Sequence, residues 1–98
     1  MSISKSTSTP DLSVYNVLIA SKAQKDIQKI YGHDLPRIKE RIISLSEDPR
    51  PMGIAKLEGP MHRVRVGDWR ILFDIYDFKR EVLVLRVLRR SERTYKDI

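Results

Sequence analysis

No cysteine occurs among the 98 residues. That excludes disulfide bridges, zinc–thiolate sites and a cysteine nucleophile together, and it suits a reducing compartment such as the cytoplasm, where the protein is expected. Histidine is nearly as scarce, and His33 and His62 do not have the spacing of metal ligands. Neither a metal nor another cofactor is therefore expected. No apolar run approaches the ~20 residues of a membrane helix, so membrane contact is not expected either. Residues 1–13 are rich in Ser and Thr, lack the apolar stretch of a signal peptide, and read as a disordered leader. Residues 14–98 then have room for one domain and no second core.

Acidic side chains are the scarcer sign of charge. Thirteen Asp and Glu stand against nineteen Lys and Arg, for a net charge of +6. The excess is uneven. Residues 1–55 carry eight basic and six acidic side chains, whereas residues 56–96 carry eleven and six. A charge excess concentrated in one segment fits a polyanionic partner such as nucleic acid.

Hydrophobic residues make up 41% of the chain, enough for a folded core. Val14 to Ile19 reads as a strand, because β-branched and aromatic residues dominate it. Ser21 followed by Gln24 has the form of a capping box at a helix start. Ala23, Ile27 and Ile30 recur at helical spacing, and Gly32 is placed to end that helix. Asp34 is placed to cap a second helix, in which Leu35, Ile38, Ile42 and Leu45 share one stripe. Asp48-Pro49 stops it. The short link predicts an antiparallel helical hairpin.

The period then changes. His62 to Val66 alternates, Gly67-Asp68 has the form of a two-residue hairpin turn, and Trp69 to Tyr76 forms the next strand. Val82-Leu83-Val84-Leu85 is apolar on both faces and belongs inside the sheet. The expected fold is α+β: a small antiparallel-rich sheet with an N-terminal strand, the helical hairpin packed on one face, then three strands.

With Gly67 and Asp68 as loop residues, Val66 faces Trp69 and Val64 faces Ile71 on the apolar side. Arg65 then lies across from Arg70 on the other side, with Arg63 as their diagonal neighbour. Like charges opposite one another on a sheet cost on the order of 0.2–1 kcal/mol per pair. A bound polyanion removes that cost, and the guanidinium fork matches phosphate oxygens.

Lys56-Leu57-Glu58-Gly59, followed by His62-Arg63-Val64-Arg65-Val66-Gly67-Asp68-Trp69-Arg70-Ile71-Leu72, resembles the central signature of the RelE/ParE toxin superfamily. Leu85-Arg86-Val87-Leu88-Arg89-Arg90, with Tyr95 beyond it, is similar to that family's final strand and tail. The resemblance spans residues 14–96. It implies a RelE-like fold and a toxin of a type II toxin–antitoxin system. In the RelE branch the activity is metal-independent cleavage of messenger RNA in the ribosomal A site, by attack of a ribose 2′-hydroxyl on the adjacent phosphate. Position by position, it implies catalytic roles for Arg63, Arg65, Arg70, Arg90 and Tyr95, and RNA contacts for Lys56, Arg89 and Arg93. It further implies a cognate antitoxin, with an acidic or amphipathic helix laid across a toxin that is monomeric alone and hetero-oligomeric in the complex.

The chain departs from several relatives in having arginine rather than lysine at Arg63 and Arg65. Arginine, with a pKa above about 12, is a poor general base. Glu58, Lys56 and His62 are the alternatives for that role, and strand parity puts His62 on the apolar side. A ParE-like inhibitor of DNA gyrase and a non-catalytic nucleic-acid-binding domain are the competing functions. The complete set of strand arginines with the tail tyrosine favours cleavage.

Overall fold

A sheet with apolar residues on alternate positions must cover one face, and here two helices do so. The computed structural model describes residues 14–89. Its elements are β1 (Asn16–Ile19), α1 (Ser21–Gln28), α2 (Asp34–Ser44), β2 (Ala55–Lys56), β3 (Met61–Val66), β4 (Trp69–Tyr76) and β5 (Glu81–Arg89). The five strands form one sheet in the order β1-β5-β4-β3-β2. Every neighbouring pair is antiparallel except β1 with β5, which runs parallel from Asn16↔Glu81 to Ile19↔Val84. The architecture is the expected α+β arrangement. Residues 1–13, assigned to a leader, lie outside the described residues, as do Arg90, Arg93 and Tyr95.

The core lies between the helices and one face of the sheet. Ala23, Ile38, Ile42 and Leu45 meet Val64, Trp69, Ile71, Phe73, Val82, Val84 and Val87 there. β5 is long and apolar because it is flanked on both sides, by β1 and by β4. Its register breaks once. Leu72 lies opposite Arg86 but Phe73 opposite Val84, so Leu85 is an extra residue in β5. Asp26 of α1 holds this bulge. Its carboxylate accepts from Arg86 Nε at 2.8 Å, Arg86 Nη2 at 3.2 Å and the Val87 backbone N–H at 2.9 Å.

Both expected helix caps are replaced. Ala20, in extended geometry, is the N-cap of α1, and its own N–H still bonds to Val84 of β5. The helix therefore begins at Ser21 itself, and the Gln24 amide donates to the Ile19 carbonyl instead of closing a capping box. Asp34 is the first residue of α2, and the N-cap position falls to His33, which makes no side-chain cap bond. The Asp34 carboxylate accepts a hydrogen bond from Trp69 Nε1 at 3.0 Å, from a strand 35 residues away. The two-residue β2 was not anticipated, since pairing with His62 and Arg63 defines it and no local pattern does.

Candidate active site

Gly67 has φ +58, which the first position of a type II′ hairpin turn requires and which other L-residues rarely adopt. The turn fixes the register on either side: Val66↔Trp69, Arg65↔Arg70, Val64↔Ile71, Arg63↔Leu72. This is the expected hairpin. Val64, Trp69 and Ile71 enter the core. By the two-residue period of a strand, Arg63, Arg65 and Arg70 stand on the opposite face, which the helices leave open.

The three arginines differ in exposure. Arg65 is exposed and Arg63 half-buried, while Arg70 is only 9% exposed. Arg70 is flanked by Arg65 on β3 and Leu88 on β5. Arg70 points away from the helical core, as strand parity requires, and sits enclosed among these neighbours. Side chains directly opposite in such a pair have Cβ atoms roughly 4.5–5.5 Å apart. Two guanidinium groups are thus held side by side, one of them largely removed from water.

The hairpin tip is anchored from the other side. Trp69 donates to Asp34, and the Arg89 guanidinium lies over the Trp69 ring, 5.2 Å from its centroid. Arg89 therefore belongs to the helix side of the sheet end. Lys56 pairs with His62 and so falls on the face away from the arginines. Its ammonium donates to the Gly59 carbonyl at 3.1 Å.

His62 is 5% exposed, stacks on Phe73 with centroids 5.9 Å apart, and contacts the Pro60 carbonyl through Nδ1 at 2.7 Å. A carbonyl only accepts, so Nδ1 carries the proton. The arrangement fits a structural histidine. Glu58 is exposed in the turn before β3. Asp74 shares the arginine face by parity, towards the far end of β4, and accepts from the Tyr76 hydroxyl at 2.7 Å. That bond pushes the Tyr76 phenol above its ordinary pKa.

The geometry suits recognition of a phosphodiester and stabilisation of extra charge on phosphorus. No group of three or more His, Cys, Asp or Glu among the described residues is placed to hold a metal ion. Sequence reasoning missed Arg37 and Arg41, which flank the hairpin from α2 and line a cleft with Arg65. Their i, i+4 spacing beside the apolar stripe of Ile38 and Ile42 was the available signal.

Residues 17–94 match the family described as ParE toxin of type II toxin–antitoxin systems, parDE. RelE1 of Methanocaldococcus jannaschii is 28% identical over 88 residues, covering 85% of this chain and 97% of that protein. The fold is similar to that in the RelE–RelB complex of Pyrococcus horikoshii, with a TM-score of 0.73 at 24% identity over 81% of this chain and 98% of that one. It is also similar to the toxin–antitoxin complex RelBE2 of Mycobacterium tuberculosis, with a TM-score of 0.70 at 26% identity over 81% and 94% of the two chains. With its match spanning nearly the whole folded region, the chain belongs to the ParE toxin family of type II toxin–antitoxin systems, within the RelE/ParE superfamily.

Proposed function

We propose that this toxin is an endoribonuclease that cuts messenger RNA in the ribosomal A site. The observation that carries the reading is the register Arg65↔Arg70, with Arg63 diagonal to it, on the face of the hairpin turned away from the helices. Guanidinium forks at that spacing match the oxygens of a phosphodiester. In the reaction the ribose 2′-oxygen forms a bond to the adjacent phosphorus, and the bond from phosphorus to the 5′-oxygen breaks. A cyclic phosphate and a free 5′-hydroxyl result. Arg65 and Arg70 stabilise the charge gathering on the phosphoryl oxygens, and Arg63 orients the phosphate. The 2′-hydroxyl proton passes to solvent or to a group of the ribosome, and the leaving oxygen takes one up. Arg90 and Tyr95 are assigned to the leaving oxygen and to stacking on a base.

The test is primer extension on a defined messenger RNA, with the purified full chain, with and without ribosomes. Discrete cuts are expected only with ribosomes. Arg65→Ala and Arg70→Gln should each lower the cleavage rate by about 10²–10³, the typical effect of removing one preorganised charge-stabilising donor. Undiminished cutting by both variants would sink the assignment.

A second reading has one observation in its favour, since the matching family is described as ParE. Inhibition of DNA gyrase by the same surface would appear as loss of supercoiling activity in a purified gyrase assay, without any RNA product.

We also assign a cytoplasmic antitoxin partner to the groove between α1 and α2. Ile19, Ile27, Ile42 and Ile43 line it, with Gln24 and Lys39 at its margins, around a volume of about 320 Å³. Ile43 is 68% exposed. An amphipathic helix with an apolar stripe and acidic flanks fits such a groove, and the complexes of the P. horikoshii and M. tuberculosis relatives support a partner of this kind.

A further inference from the structure

The cleft between α2 and the end of β3 is a separate feature of the hairpin. Its volume is about 520 Å³, and Arg37, Glu40, Arg41, Ser44, Arg65 and Gly67 line it. Arg37, Arg41 and Arg65 bring three guanidinium groups to it. Arg37 leans over Gly67, and a β-carbon there would lie 3.3 Å from both its terminal nitrogens. Arg37 is also 3.8 Å from the Asp34 carboxylate, which the Trp69 indole holds in turn. The same contacts that anchor the hairpin tip therefore aim a cation at the cleft.

The strand contributes as well. β2 covers β3 only at His62 and Arg63, so among the described residues Val64 to Val66 form a free edge. In a two-residue hairpin the pair flanking the turn exchanges hydrogen bonds and the next pair does not. Val66↔Trp69 is the first of these, and Arg65↔Arg70 the second. The backbone N–H and C=O of Arg65 thus face outward, towards α2. Arg65 stands where two sets of cations meet: Arg63 and Arg70 on the open face, Arg37 and Arg41 beyond the edge.

We propose that this cleft is a second phosphate site, which takes the backbone of the same RNA strand as it passes around the free edge of β3. The proposal rests on the reading of the open face as the place of cleavage. An RNA strand suits the mixed lining better than an acidic peptide does. Phosphates meet Arg37, Arg41 and Arg65, while ribose hydroxyls and base amino groups are donors for the Glu40 carboxylate. An acidic peptide brings further carboxylates against Glu40, at a like-charge cost.

The test is fluorescence anisotropy of a labelled twelve-nucleotide single-stranded RNA with the full chain, over a range of salt. R37Q/R41Q is compared with K25Q/K29Q, which loses the same charge from exposed positions of α1 and its end. Glutamine keeps good helix propensity, and R37Q alone, at a side chain 57% exposed, serves if the pair of changes lowers the melting temperature. R37Q/R41Q should weaken binding about tenfold and flatten the log–log salt slope by about 1, because each phosphate contact on a single strand contributes roughly 0.7. K25Q/K29Q should change the slope much less. Equal losses in the two variants, or none in R37Q/R41Q, would overturn the site. So would intact RNA binding with lost binding of a polyglutamate peptide, which assigns the cleft to a protein. Primer extension reports on the nuclease separately: a native chain that cuts nothing, while Arg37 and Arg41 still govern RNA binding, leaves the cleft assigned and removes the enzyme.

Discussion

Val64 and Arg65 are neighbours in β3 with the same extended backbone, yet opposite constraints act on their side chains. Val64 is 1% exposed among Ile71, Phe73, Val84 and Val87 beneath the helices. Each such side chain contributes about 1.5–3 kcal/mol by leaving water. Arg65 faces Arg70 across the ladder, where like charges oppose each other. One face of the sheet packs beneath the helices, and the other sets arginines among buried leucines, Leu72 and Leu88. The apolar positions hold the strands in register, and that register makes a rigid mount for the intervening arginines.

The division can be broken by one pair of substitutions. Phe73 is fully buried, so Phe73→Ala should cost about 3–5 kcal/mol in denaturant unfolding, as large aromatic truncations in cores do. Arg65→Ala should change stability by no more than about 0.5 kcal/mol, or raise it slightly, since it is an exposed position relieved of a like charge. Comparable losses from the two would mean that the faces are not divided as described.

His62 sharpens the comparison, because it is a polar residue on the packed face. His62→Gln should leave cleavage within about twofold of native and cost roughly 1–2 kcal/mol, from the lost bond to Pro60 and the lost ring contact with Phe73. A hundredfold fall in cleavage with stability preserved would instead make His62 the base.

What could be read in the sequence follows from the range of the interactions. The hairpin was legible to the residue, because Gly67-Asp68 and the alternation around it are local signals that agree. The stripe of Ile38, Ile42 and Leu45 was legible for the same reason, and all three are buried. The caps at Ser21 and Asp34 failed where a distant strand claimed the groups concerned: Val84 holds Ala20, and Trp69 holds Asp34. The partner of β1, the bulge at Leu85 and the role of Asp26 beneath it depend on residues about 60 positions away and leave no local trace. Of the candidate site, parity sufficed for Arg63, Arg65 and Arg70. It could not show that Arg70 is enclosed, or that Arg37 and Arg41 come alongside, because both depend on how neighbouring elements pack.

The two ends of the sheet offer the smallest and last contrast. At the β3–β4 turn Arg65 and Arg70 stand opposite one another, whereas at the β4–β5 turn a single carboxylate gathers its partners. Asp77 there receives both terminal nitrogens of Arg50, at 3.0 and 2.8 Å, and the Tyr15 hydroxyl at 2.6 Å. Arg80 adds its cation over the Tyr15 ring, 5.6 Å from the centroid. The Arg50 hydrogen bonds, followed by that of Tyr15, hold the Asp77 carboxyl down at about 2. A carboxyl whose pKa is lower in the folded state contributes stability above its unfolded value near 4 and loses it as pH falls through its folded value. The cluster is exposed and screened, so the contribution is small. Thermal unfolding of the native chain and Asp77→Asn should therefore differ at pH 6 by a margin that narrows below pH 4 and closes near pH 2. A margin unchanged down to pH 2 would show that Asp77 stabilises this end of the sheet through contacts that do not require its charge.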